Sequence, residues 1–420
     1  MNAEILSVGT ELLLGNIVNT DARDLAVTLS ELGINVFWQT VVGDNRARLT
    51  EAVHIAQKRA DLIITTGGLG PTCDDLTKQT VCAALGIEMY YDERAEAELR
   101  AYFRVGKGGS MTDNNLQQCY LPVGCTPFYN TCGTAPGCGF TAPDGTHVLI
   151  LPGPPKELNA MMAHGGVDFL RSLSDEHILS HNIMTFGMGE SRIEDLLRDE
   201  MNALQNPTLA PYAKEGEVRL RVTAKAGSEA EAEAMMAPVI ADVKRLLGDR
   251  VYGVDTPSLE DTAMRLLLER KETFSAAESC TGGLIAKRIT DIPGSSAVFR
   301  GGVTVYTNDV KMLLGVKPET LEKFSAVSRE TAVELADCVR TKLGATYGLS
   351  VTGVAGPDSD GLHAVGTVFV GLSTAERTYV RALQLGEKSD RSRIRTLSAN
   401  HAFDMLRRCI LGLPVETETP

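Results

Sequence analysis

Residues Asp61–Thr80 read DLIITTGGLGPTCDDLTKQT. The apolar run at the front shows no alternation, which predicts a strand covered on both faces and so a sheet with helices on each side. Gly67, Gly68 and Gly70 predict the tight turn that follows. Asp74 is positioned to cap a helix beginning at Asp75 or Leu76. Outward from this unit the pattern repeats. AEILSVGTE (3–11) reads as a strand and NTDARDLAVTLSELG (19–33) as an amphipathic helix with Leu25, Leu29 and Leu32 on one face, closed by Gly33. NVFWQTVVGDN (35–45) is the next strand and RARLTEAVHIAQKRA (46–60) the next helix. Such alternation predicts a parallel α/β sheet, whose ligands bind beyond the carboxyl ends of the strands.

The chain of 420 residues is too long for one core, and about two to four domains are expected. The first spans 1–170. A second, 176–252, is a small α+β module: strand HNIMTFGM, helix GESRIEDLLRDEM, cleanly alternating strand GEVRLRVTAKA and an Ala-rich helix from Ser228. VYGVDTPS is a linker, and Ser258 with Asp261 forms a capping-box-like start to a third α/β domain over 258–415. The tail VETETP is expected to fray.

Composition narrows the function. Hydrophobic residues at 43% and charged residues at 23% are ordinary for a globular protein. A net charge of -13 argues against holding nucleic-acid phosphates. The opening MNAEILSVGT has no leader character, the uncharged stretch Asn114–Pro143 is too rich in Gly and Pro for a membrane helix, and nine cysteines do not form a secreted framework. The expectation is a cytoplasmic protein with no membrane partner. Cys119, Cys125, Cys132 and Cys138 lack the tight pairs of a zinc knuckle and read as packing residues.

Two glycine loops carry the chemistry. In the first, Gly67, Gly68 and Gly70 would let main-chain N–H groups approach an anion. Asp74 and Asp75 beside them would repel a phosphate unless a divalent cation bridges them, and Asp44 in VVGDN could add a ligand at the same sheet edge. The competing reading is an ordinary strand–helix turn with an N-cap. In the second, SAAESCTGGLIAKRIT (275–290) sets Ser279 and Cys280 side by side at a strand-to-helix turn. Intrinsic reactivity favours the thiol, and plain helix capping is the bland alternative. A serine needs a base. Of seven histidines only His363 and His401 fall in this domain, in a Gly/Asp-rich loop and in mid-helix. Lys287 lies about 10 Å or more along the helix from Ser279 by rise per residue. Lys311 is better placed: GGVTVYTNDVKMLLG (301–315) predicts strand, turn and helix, with Tyr306 at the strand end.

GTELLLGNIVNTD, VGDN, TTGGLGPTCDDLT, NTCGTAPG and LPGPPKEL occur in this order. Over about residues 3–170 they resemble the molybdopterin-binding (MoaB/MogA-like) domain of the competence/damage-inducible CinA family. That resemblance implies functional acids at Asp44 and Asp75, metal-dependent hydrolysis or binding of ADP-ribose, and a divalent cation such as Mg2+. The middle segment, with APYAKEGEVRLRVTA, resembles the family's KH-type module. Its nearest approach to a GXXG loop is GMGES, so nucleic-acid binding is not expected. AESCTGG, IPGSSAVFRGGVTVYTNDVKMLLGV and VTGVAGPD resemble the nicotinamide-nucleotide amidohydrolase domain of the same family over about 258–415. This implies a cofactor-free amidase that converts nicotinamide mononucleotide to nicotinate mononucleotide and ammonia. Ser279, Tyr306 and Lys311 fall on the family's catalytic residues. Thirdly come expected contacts: N–H groups of Thr281, Gly282 and Gly283 for the oxyanion, and Gly294, Ser295, Ser296, Thr352 and Gly353 for phosphate and ribose. GPDSDGLHAVGT (356–367) departs from the family's usual Gly-Thr and Lys-Pro, a change expected in the loop over the substrate. A homodimer is also implied. The alternatives are a chain acting mainly as an ADP-ribose pyrophosphatase, a competence-related adaptor without turnover, and molybdopterin handling.

Overall fold

The computed structural model describes residues 1–104, 111–173 and 177–416. It divides into two compact units, Met1–Ser180 with Ala224–Ala234, and His181–Thr223 with Met235–Pro420. The last four residues of the VETETP tail lie outside the described residues.

The first unit is built on a six-stranded sheet. Four strands run parallel in the order Asn35–Val42, Asn2–Val8, Leu62–Thr66, His147–Leu151. Leu62, Ile63 and Ile64 are fully buried, as an unbroken apolar run requires. The expected all-parallel sheet needs correction at one side. Gly137–Thr141 and Thr126–Phe128 add antiparallel strands, because turns too short for a helical crossover join them to each other and to His147–Leu151. Helices Thr20–Glu31 and Arg46–Gln57 are N-capped by the side chains of Asn19 and Asn45. The strand ends align in register, Ser7 opposite Val41 and Thr66, and Thr66 opposite Leu151. The loops after these four strands therefore leave from one edge.

The four-stranded sheet of the middle segment runs Thr208–Lys214, Glu217–Ala226, His177–Phe186, Val251–Val254.

The C-terminal sheet has five strands. Phe274–Glu278 is central and parallel to both Phe299–Thr304 and Tyr347–Gly353. Thr367–Ser373 and Thr378–Gln384 follow antiparallel. Helix Leu259–Arg270 begins as expected, with Ser258 Oγ accepting from the Asp261 N–H. Helix Arg391–Ile410 is anchored by a buried network in which the Asp404 carboxylate accepts from Arg381 at 3.0 Å and Arg407 at 2.8 Å. Opening such a pair by removing one partner costs about 3–5 kcal/mol, since it strands a buried charge. Helix Arg329–Leu343 packs on the other face, and Gly348 is the point of closest approach. A Cβ there would stand 2.2 Å from the Ala336 carbonyl and 2.6 Å from Arg340 Cβ. Gly348→Ala is expected to destabilise by roughly 2–4 kcal/mol, read as an earlier unfolding transition in urea; an unchanged midpoint would show that helix and strand separate freely.

Candidate active sites

The loops at the shared edge of the first sheet enclose a cavity of about 680 Å3. Gly67, Gly68, Gly70, Asp44, Asp74 and Asp75 all line it. Gly67 (φ +90) and Gly68 (φ +64) are left-handed, and the space is equally restrictive: a Cβ on Gly67 would sit 2.1 Å from the Val8 carbonyl. Asp44 Oδ2 accepts from the Thr10 N–H at 2.8 Å, and Asp75 Oδ2 accepts from the Thr72 N–H at 2.8 Å and its hydroxyl at 2.6 Å. Among the described residues no three His, Cys, Asp or Glu side chains are grouped to hold a metal ion. Carboxylate oxygens are the donors magnesium takes, commonly one or two from the protein. Three further acids reach the cavity, Glu11, Asp21 and Glu157. Glu157 accepts from Asn130 at 2.6 Å. Asp21 is 8% exposed, its Oδ1 has no partner, and burial, with help from Asp24, pushes its carboxyl up to about 6.

In the C-terminal unit Ser279 directly follows the central strand, and its N–H donates to the Val351 carbonyl at 2.9 Å. Lys311, 2% exposed, comes from the helix Asn308–Leu314 after the neighbouring strand. Its Nζ lies 3.3 Å from Ser279 Oγ, 2.8 Å from the Val305 carbonyl and 3.4 Å from that of Tyr306. Burial draws the lysine below its usual pKa. Cys280 is also buried, and that burial pushes its thiol up to about 12. Gly282 (φ 58) and Gly283 (φ 92) turn the chain into the helix Leu284–Thr290. The buried Glu278 carboxylate accepts from the N–H groups of Ile285 at 3.0 Å and Ala286 at 2.9 Å. That helix start is thus neutralised from within, and the Gly282 N–H donates to Ser279's own carbonyl. The N–H groups of Thr281 and Gly283 make no hydrogen bond among the described residues.

Three family models match in tandem: "Probable molybdopterin binding domain" over residues 4–172, "Damage-inducible protein CinA KH domain" over 180–253 and "CinA C-terminal domain" over 256–410. A competence-damage inducible protein of Acetivibrio thermocellus is 44% identical over 416 residues, 98% of this chain and 100% of the relative. The chain belongs to the CinA family. A CinA-like protein of Kosmotoga olearia is 45% identical over 98% of the chain and all of the relative. A crystal structure of CinA from Thermoplasma acidophilum is 34% identical, covering 40% of this chain and 99% of that one at a TM-score of 0.37.

Against this CinA architecture several expected residues fall elsewhere. Asp74 caps no helix: the helix starts at Thr77 after Leu76 without a side-chain cap, because Asp75 bonds back to Thr72 and prolongs the turn. Tyr306 is 58% exposed, and its hydroxyl accepts from Arg391 at 2.9 Å. It meets Lys311 only through its carbonyl. Gly294, Ser295 and Ser296 precede Phe299, which pairs with Phe274 at the amino end of the central strand. They thus stand at the opposite end of the sheet from Ser279, since a strand–helix–strand crossover returns the chain to where it began. Thr352 and Gly353 lie beside Ser279 at the carboxyl end, but the Thr352 hydroxyl is buried and donates to the Ala326 carbonyl at 2.6 Å. Lys287 pairs with Asp291 on the helix surface. The four loop cysteines are free thiols, with Cys119 and Cys138 in the core.

Sequence reasoning missed Arg391 and Arg395. Arg391 binds the Tyr306 hydroxyl and the Gly356 carbonyl, and Arg395 binds the Thr281 carbonyl at 2.7 Å. The repeated arginines of DRSRIR were the available signal, one helical turn apart and on one face. Among the described residues no helix is long and apolar enough to cross a membrane.

The Asp21 carboxyl binds its proton more tightly folded than unfolded, so its effect on stability turns unfavourable as pH rises from about 4 through 6. Asp21→Asn is expected to raise stability at pH 7.5 by on the order of 2 kcal/mol, with the gain shrinking towards pH 4. Denaturation at the two pH values checks this; a gain independent of pH would contradict it.

Proposed function

We propose that the C-terminal site hydrolyses the carboxamide of nicotinamide mononucleotide through a Ser279 acyl-enzyme. The observation that carries this reading is the buried Lys311 Nζ, 3.3 Å from Ser279 Oγ. As an ammonium it donates to the serine. Once neutral, its lone pair faces the same oxygen and takes the hydroxyl proton. Ser279 Oγ then bonds to the amide carbon, and the unpaired N–H groups of Thr281 and Gly283 would receive the developing oxyanion. Lys311 returns the proton to the departing nitrogen and ammonia leaves. Water attacks the acyl carbon with Lys311 again as base, releasing nicotinate mononucleotide and restoring the serine. Cys280 is the poorer nucleophile here because burial keeps its thiol protonated. Arg391 and Arg395 are the cations available for the substrate phosphate, and Tyr306 is the positioning residue that holds Arg391.

The first unit, in this reading, binds or hydrolyses ADP-ribose. Its glycine turn receives the diphosphate, while Asp44 and Asp75 would hold a divalent cation that polarises it. A homodimer and a cytoplasmic setting belong to the same proposal and rest on the family resemblance.

Ser279→Ala is expected to abolish ammonia release, and Cys280→Ala to leave most of it; the reverse pattern would overturn the assignment. Because the base must be neutral and burial lowers the Lys311 pKa, kcat/KM should rise with pH and level off below the usual lysine range. A flat profile over the same range would argue for a different base. EDTA should abolish AMP release from ADP-ribose and leave ammonia release intact, and a chain inactive on both substrates would revive the adaptor reading.

A further inference from the structure

We propose that Asp21 is the ribose-reading residue of the first unit's cavity, its carboxylate accepting hydrogen bonds from the 2′- and 3′-hydroxyls of a bound nucleotide. This rests on the reading of that cavity as a nucleotide site.

The acids around the cavity are not equivalent. Asp44 and Asp75 are bound to Thr10 and Thr72, Glu157 is held by Asn130, and Glu11 and Asp74 are exposed to solvent. Asp21 lines the same cavity, is more than nine-tenths buried, and keeps a carboxylate oxygen without a hydrogen-bond partner. An unsatisfied buried carboxylate destabilises the fold, and a turn of the Asp21 side chain at the cavity wall would let a donor from outside satisfy it. Asp21 stands in the first turn of its helix, a favourable place for an acid, yet its Oδ1 takes no helix N–H. The helix start is already served by Asn19, whose side chain accepts from Ala22.

The rest of the cavity lining narrows the choice of donor. The left-handed turn at Gly67 and Gly68 brings main chain to the surface where a phosphate would rest. A ligand that offers phosphate at one end and a pair of hydroxyl donors at the other is a nucleotide or sugar phosphate. A vicinal diol can give both hydrogens to one carboxylate, a geometry familiar from dinucleotide sites. Ile17 and Val18, exposed at 54% and 83%, also line the cavity and give an apolar surface for a ring.

The test uses the full-length protein with ADP and 2′,3′-dideoxy-ADP, titrated calorimetrically in magnesium buffer, with inorganic pyrophosphate as a third probe. Wild type should prefer ADP by about tenfold or more. Asp21→Ala should bring that ratio close to one while leaving pyrophosphate affinity unchanged, and Asp21→Asn, the more conservative change, should fall between. Both variants are checked for a native unfolding transition. An unchanged ADP preference in a folded Asp21→Ala protein overturns this proposal alone. Failure of wild type to bind either nucleotide removes the nucleotide reading of the cavity, and this proposal with it.

Discussion

A lysine ammonium taken out of water must find oxygen at every donor, or lose its charge. Lys311 meets that demand with two main-chain carbonyls and the oxygen of Ser279. Everything around it serves to keep those three oxygens in place. The parallel pairing of Phe274–Glu278 with Phe299–Thr304 puts Ser279 and Val305 at one edge, and the Val305 N–H donates to the Glu278 carbonyl at 2.8 Å. Glu278 then ties down the following helix with two main-chain bonds. The arrangement leaves a nitrogen with a weakened hold on its proton facing a hydroxyl.

The two sheets show how one architectural rule serves different chemistry. Both collect loops at the carboxyl ends of parallel strands, and both spend glycines in left-handed turns there. In the first unit the loops contribute acids and a cavity; in the C-terminal unit the turn contributes a hydroxyl, and two helices add a buried amine and guanidinium groups. The difference lies in side chains that the fold leaves free to vary.

Much of this was legible in the sequence. The unbroken run DLIITT and the amphipathic helix at 19–33 have periodicities that tertiary contacts reinforce, so their elements fall where expected. Ser279 and Lys311 were legible because each sits just past a strand that ends in a turn. What failed did so for topological reasons. Gly294–Ser296 were expected substrate contacts through the family resemblance, but only the crossover tells which end of the sheet a loop occupies. Asp74 looked like a cap because spacing cannot show that Asp75 folds back on Thr72. Arg391 and Arg395 lie more than eighty residues from the tyrosine and the turn they contact, and no local pattern carries that information. The antiparallel strands beside each parallel core were likewise invisible to the strand–helix alternation that predicted the sheets.

The central claim is that Ser279, and not its neighbour, carries the acyl group. The direct measurement is acid quench of the full-length protein during turnover of nicotinamide mononucleotide, followed by peptide fragmentation across SAAESCTGG. The account predicts an acyl adduct on Ser279 that is absent from Lys311→Met protein. An adduct on Cys280, or none at any stage of a demonstrable turnover, would contradict it.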